Sequence, residues 1–328
     1  MATNVTENQA AVAEKLMITP SPHVKDSIDT KQIMLTVVAA LIPAMLAAIY
    51  YFGFRTLIMT AVSAAACVVF EYLFNMVTKR EQSIGDCSAI VTGVILAFNV
   101  PVTLPIWMLI FGDFIAIVVV KCLFGGIGCN FANPAATARI FLLVSFASQM
   151  THWIAPHSAI DSVATATPLG IIAAGEGELP PLMDMLLGNR GGSMGETCAI
   201  ALILGGLFLI WKGIIYWQIP VSVIASVFVF ALLFGENPVY AILSGGVMIG
   251  AFFMATDYST SPVTVKGKVV FGIGIGFITM VIRTFCNYPE GMSFAILLMN
   301  ILTPHIDSLT MNKPFGAIFE KKSKKEGA

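Results

Sequence analysis

The chain has 328 residues, 57% hydrophobic and only 11% charged, with a mean hydropathy of +0.86. Soluble domains carry about 25% charged residues, so this composition excludes a soluble cytosolic enzyme and predicts an integral membrane protein. Eighteen Lys and Arg against 19 Asp and Glu leave a net charge of −1, which predicts no nucleic-acid partner.

The first 30 residues are polar and mixed in charge, without the apolar core of a cleaved signal peptide. Apolar runs then follow in order: Ile33–Phe54, Thr56–Val77, Ser88–Val100, Leu104–Val120 and Ala135–Ala147. A long polar loop separates these from Thr197–Trp211, Ile214–Phe234, Val239–Ala255, Val269–Phe285 and Gly291–Leu302. The length suits about ten helices of roughly 20 residues. The third, fifth and tenth runs are too short to cross hydrocarbon as straight helices, and predict half-helices or ends buried in protein. The fold expected is therefore an all-α integral membrane protein of about ten transmembrane helices. Its segments are a 1–32 N-terminal segment, a 33–147 half of five helices, a 148–196 loop, a 197–302 half of five helices and a 303–328 basic tail.

Placing the N-terminus in the cytoplasm puts 14 of the 18 Lys and Arg inside, including Lys79, Arg80, Lys121, Lys212, Lys266, Lys268 and the 321–325 tail. Arg55, Arg190 and Arg283 fall outside, and Arg139 lies within the fifth run. By the positive-inside rule both termini are cytoplasmic and the 148–196 loop is extracytoplasmic. The basic tail is a signal for topology and anionic lipid. A faint repeat relates Ala89-Ile-Val-Thr-Gly to Ala241-Ile-Leu-Ser-Gly, and Cys129-Asn130 to Cys286-Asn287. Five runs per half would make the halves inverted, an arrangement with binding sites near the bilayer midplane.

No two of the six cysteines are three residues apart, so there is no C-x-x-C pair, and most lie in apolar runs as small membrane residues. Ionisable residues at membrane depth are functional candidates. Asp113 sits mid-run. Asp257, beside Thr256 and Ser259, closes another run and offers the oxygens a hard cation such as sodium takes; it is equally a helix-end turn residue. Arg139 is a candidate ion-pair partner for Asp113, and Glu71 is near enough to a run end to snorkel. Asn130 and Asn133 follow Gly125, Gly126 and Gly128, and their carboxamides suit either a helix cap or a polar ligand edge. Gly272 and Gly276 have the spacing of helix packing. In the loop, Asp161-Ser-Val-Ala-Thr-Ala-Thr-Pro-Leu169 offers the hydroxyls of Ser162, Thr165 and Thr167 in an Asp-initiated turn.

That string resembles the flavinylation motif of the NqrB/RnfD family, which comprises the D-type membrane protein of the Rnf complex and the B-type membrane protein of the sodium-pumping NADH:quinone oxidoreductase. Asp161, Ala166 and Thr167 match, followed by Pro168-Leu169, whereas Ala164 and Thr165 depart from the pattern. Ser21-Pro-His-Val-Lys25, Phe124-Gly-Gly-Ile-Gly-Cys-Asn-Phe-Ala-Asn-Pro-Ala135 and Phe253-Met-Ala-Thr-Asp-Tyr-Ser-Thr-Ser-Pro262 resemble three further family signatures. The short N-terminal region favours the Rnf side.

The resemblance implies FMN bound covalently to Thr167 through a phosphoester, with Thr165 the rival attachment residue, installed by a separate flavin transferase. It implies a non-covalent riboflavin near Asn130 and Asn133, and offers Arg139 a flavin phosphate as partner. It further implies an electron-relaying membrane subunit of a ferredoxin:NAD+ oxidoreductase that exports Na+ or H+ in company with other membrane, NAD-facing and ferredoxin-facing subunits. Asp113, Asp257 and Thr256 are then the ion-coupling candidates. The alternatives are a quinone-reductase subunit of the same family, or a flavin-free transporter or channel.

Overall fold

The structure, a computed structural model, describes residues 29–158, 165–174, 179–286 and 290–311. These residues are helical, with no strand among them. Thr30–Phe52 (α1) is capped by the Asp29 carboxylate and ends at Gly53, whose φ of 80° an L side chain rarely adopts. Arg55–Val77 (α2) returns, followed by Ser88–Phe98 (α3). Ile106–Phe114 (α4) runs on into a π-helix, Ile115–Cys122. Pro134–Ser145 (α5) opens with Asn133 as cap and Pro134 in its first turn. Pro168–Ala174 (α6) and Leu182–Leu187 (α7) are short. Ala199–Trp211 (α8), Gln218–Leu233 (α9), Pro238–Leu243 (α10), Val247–Ile249 (α11, continued by the π-helix Gly250–Met254), Val265–Phe285 (α12) and Met292–Thr310 (α13) complete the order. Four of these, α1, α2, α12 and α13, are long and apolar enough to cross a membrane; α3, α5, α8 and α9 are shorter apolar helices.

Two runs differ from their expected form. Val239–Ala255 is not one helix. Its Ser244-Gly245-Gly246 segment breaks it, with Ser244 extended and Gly245 at φ 61°. The last helix continues past Leu302 and through Pro304 to Thr310.

Burial along α2 is arranged for lipid. Leu57, Ile58, Val69, Leu73 and Met76 are exposed, while Thr56, Thr60, Ser63, Cys67, Glu71 and Asn75 are buried. In hydrocarbon the apolar face gains nothing by turning inward, whereas a polar side chain needs a protein partner. Small residues set the tightest approach, between α9 and α12. A methyl group added at Gly272 or Gly276 would lie 1.8 Å from the hydroxyl of Ser222 or Ser226.

Candidate functional site

The 11 residues of α3 span about 16 Å, half the hydrocarbon thickness. Its carbonyls therefore end inside the protein and need donors. The 188–198 loop supplies them: Gly195 N–H donates to Phe98 O (2.9 Å) and Met194 N–H to Val100 O (3.2 Å). Gly195 is required there, since a methyl group would lie 2.4 Å from the Phe98 side chain.

Arg139 fills this junction. Its guanidinium, 4% exposed, pairs with Glu196 at 2.8 Å and with Glu290. It also donates to Asn99 Oδ1 (2.8 Å), and at 3.4 Å to the Ser193 and Ser293 hydroxyls. The expected pairing with Asp113 is thus corrected. The two side chains leave their helices toward different neighbours: Asp113 toward α2, Arg139 toward the ends of α3, α8 and α13. Two more buried arginines stand close by. Arg283 donates to the carbonyls that the broken helix leaves free, Ala241 O at 2.6 Å and Ser244 O at 3.0 Å. Arg190 donates to Glu196 O at 3.0 Å. Gly245 and Gly246 let this cluster form, since a methyl group on Gly246 would sit 2.8 Å from Glu196 Oε1 and 2.9 Å from an Arg139 nitrogen.

Thr167 lies against the same cluster. It lines a small pocket with Arg190, Gly191, Gly192, Glu196, Gly245 and Glu290. It is half-buried, and its hydroxyl accepts the Gly170 N–H at 3.1 Å, capping α6. Thr165 is placed differently. Its hydroxyl is buried with no hydrogen-bond partner among the described residues, and a methyl group on Gly191 would sit 2.8 Å from it. Ala166 between them is exposed; Asp161, Ser162 and Ala164 lie outside the described residues.

Asp113 is fully buried between α4 and α2. Its Oδ1 accepts from Ser63 Oγ (2.6 Å) and Cys67 Sγ (3.3 Å), and its Oδ2 has no partner among the described residues. Farther along the same face of α2, Glu71 does not snorkel. It is 1% exposed and pairs with Lys121 at 2.8 Å, while Ser83 also donates to it. The π-helix after α4 carries Lys121 into this contact.

Asn130, Asn133, Lys121, Thr256 and Asp257 line one cavity, at the end of the molecule where α5 begins. Both carboxamides already serve the fold. Asn133 Oδ1 caps α5 through the Ala136 N–H at 3.0 Å, and its Nδ2 donates to Met254 O at 3.0 Å. Asn130 donates to Ala132 O (3.0 Å) and accepts from Ser259 Oγ (2.9 Å). Thr256 donates back to Phe252 O at 2.7 Å. Asp257 follows the π-helix in a turn, where its carboxylate accepts from the Ser259 and Thr260 hydroxyls, both at 3.2 Å. Removal from water raises its pKa against the pull of those two bonds.

Arg190, Arg283, Glu196 and Glu290 escape a reading of the sequence. The available signal was the Ser244-Gly245-Gly246 interruption of an apolar run, which marks backbone carbonyls that need a donor.

A sequence profile of the NQR2, RnfD, RnfE family matches residues 17–316. The chain belongs to this family. Among its relatives is the D-type protein of the Na(+)-translocating ferredoxin:NAD(+) oxidoreductase complex of Acetobacterium woodii, 46% identical over 94% of this chain and 98% of that one. The D-type protein of the proton-translocating ferredoxin:NAD(+) oxidoreductase complex of Clostridium ljungdahlii is 42% identical over 91% of this chain and 96% of that one. The D-type protein of an ion-translocating oxidoreductase complex of Actinobacillus succinogenes is 36% identical over 91% of this chain and 97% of that one. The family match takes in both clusters, the arginine junction and the Asn130–Asp257 cavity.

Proposed function

We propose that the chain is the D-type membrane protein of an ion-translocating ferredoxin:NAD+ oxidoreductase complex, and that it carries a covalent FMN on Thr167. The observation that carries the flavin reading is the contrast between two threonines. The Thr165 hydroxyl is sealed behind Gly191, whereas half-buried Thr167 lines a pocket together with the buried Arg190. An acceptor hydroxyl must be reached by a transferase and must then sit beside an anionic phosphodiester, and of these two threonines Thr167 is the one that meets both conditions. In attachment, Thr167 Oγ forms a bond to the flavin-side phosphorus of FAD. The bond from that phosphorus to AMP breaks, AMP leaves, and the hydroxyl proton is lost.

The flavin, when bound, supplies one-electron relay. What this chain contributes is position: α6 holds Thr167, and the 190–192 loop holds its neighbours. Electrons pass to and from other membrane subunits of the complex, because ferredoxin and NAD are bound elsewhere. In the orientation derived from the Lys and Arg distribution, the Thr167 pocket faces the extracytoplasmic side and the Asn130–Asp257 cavity the cytoplasm. This cavity is where a second, non-covalent flavin would sit. The internal use of both carboxamides leaves Asn130 and Asn133 as its walls rather than free donors. The coupling ion is sodium or a proton, with Asp113 and Asp257 as its candidate carriers.

The test is denaturing gel electrophoresis of the complex made together with its transferase. Flavin fluorescence should migrate with this chain and disappear in Thr167→Ala. Fluorescence retained in Thr167→Ala and lost in Thr165→Ala would transfer the attachment to Thr165, and no fluorescence in the unmodified chain would leave a flavin-free transporter.

A further inference from the structure

Two of the three arginines at the junction touch no carboxylate among the described residues. Arg139, Arg190 and Arg283 are all buried, at 3%, 6% and 8% exposure. Both carboxylates of the junction, Glu196 and Glu290, are in ion pairs with Arg139. Among the described residues, neither Arg190 nor Arg283 has an ion pair of its own. Each is held by carbonyl oxygens, and one Arg190 nitrogen faces only the Met185 sulfur at 3.6 Å. The Arg283 Nε is buried without a partner among the described residues. A buried cation that touches no carboxylate is expensive. Arg190 therefore has donor capacity that no carboxylate among the described residues takes up.

The place where an anion would enter is specific. Arg190 lines the pocket that Thr167 lines. On its far side Leu169, two residues after Thr167, packs beside Gly245 and Arg283. A methyl group on Gly245 would lie 2.6 Å from Leu169 Cδ1 and 3.0 Å from an Arg283 nitrogen. The planar, multi-donor guanidinium suits phosphate oxygens better than an ammonium does.

We propose that Arg190, backed by Arg283, is the anion site for the phosphodiester that tethers the flavin to Thr167. A phosphodiester carries the negative charge and the acceptor oxygens that the Arg190 nitrogen facing the Met185 sulfur lacks. Arg190 is a positioning residue: it holds the tether, and so the orientation of the ring system beyond it, and takes no part in electron transfer. This inference rests on the covalent-flavin reading.

The experiment uses the assembled complex, produced with its transferase, and compares the unmodified chain with Thr167→Ala, Arg190→Gln and Arg190→Lys. In-gel flavin fluorescence per unit of chain is read first. Phosphorus NMR of the attached phosphodiester is read second. Thr167→Ala should be dark. Arg190→Gln should assemble but hold at least about tenfold less flavin, the scale of losing a charge-assisted hydrogen bond. Arg190→Lys should recover much of the flavin, because it restores the charge. Its phosphorus resonance should nonetheless shift, because it lacks the fork. A role in packing alone predicts neither the rescue nor the shift.

Full flavin content in Arg190→Gln, with Thr167→Ala dark, overturns the anion site and leaves the flavin reading standing. Fluorescence that survives Thr167→Ala removes the reading and the inference together. Should Arg190→Gln fail to assemble, the Arg190→Lys resonance decides, and an unshifted signal overturns the proposal.

Discussion

At the scale of single residues, the buried charges divide into those with counter-charges and those without. Glu71 has Lys121, and Arg139 has Glu196 and Glu290. Among the described residues, Asp113 has only the Ser63 hydroxyl and the Cys67 thiol, on one of its two oxygens. A carboxylate at membrane depth in that state needs a proton or a cation. Asn is nearly isosteric and keeps an acceptor for Ser63, so Asp113→Asn should assemble with normal flavin content. If the ion passes here, its ion-dependent ferredoxin:NAD turnover should fall by at least about tenfold. Turnover with unaltered dependence on sodium or on proton concentration would take Asp113 out of the path. The existence of each of these charges was legible in the sequence, but their partners were not. Asp113 and Arg139 invited pairing, and Glu196 and Glu290 took the arginine because the 188–198 loop folds back onto the end of α3.

At the scale of elements, glycine and serine determine how closely helices approach. The α9–α12 contact is the simplest case. Gly276→Ala would drive a methyl group to 1.8 Å from Ser226 Oγ, an overpacking that costs about 1–3 kcal/mol. Thermal unfolding in detergent should show Gly276→Ala clearly destabilised, and Ser226→Gly in the same chain should recover at least about half of the loss. Absence of that coupling would mean that the helices part without resistance. The spacing of Gly272 and Gly276 already pointed to packing; which serines they meet depends on the crossing of two helices far apart in sequence. The same limit applies to the broken α10–α11 run. Its Ser-Gly-Gly interruption is visible, but the apolar run around it reads as one helix until Arg283 is seen to take the freed carbonyls.

At the scale of the whole molecule, the cation distribution predicts which ends of the helices face the cytoplasm. Cys286 follows α12 and Cys129 precedes α5, and both are exposed. With the other four cysteines replaced by alanine, a membrane-impermeant maleimide added to intact cells should label Cys286. It should reach Cys129 only after permeabilisation. The reverse pattern would invert the topology and place the Thr167 pocket in the cytoplasm.

The sequence by itself determined that the chain is helical and membrane-embedded, and where its long apolar runs lie. Those properties follow from local composition and spacing, because a helix in lipid must satisfy its backbone within its own segment. Only the tertiary structure decided how buried charge is shared. Electrostatic cost depends on the distance between groups and on the water excluded around them. Residues 139, 190, 196, 283 and 290 meet only because half-length helices, a re-entering loop and a glycine break bring their ends to one place.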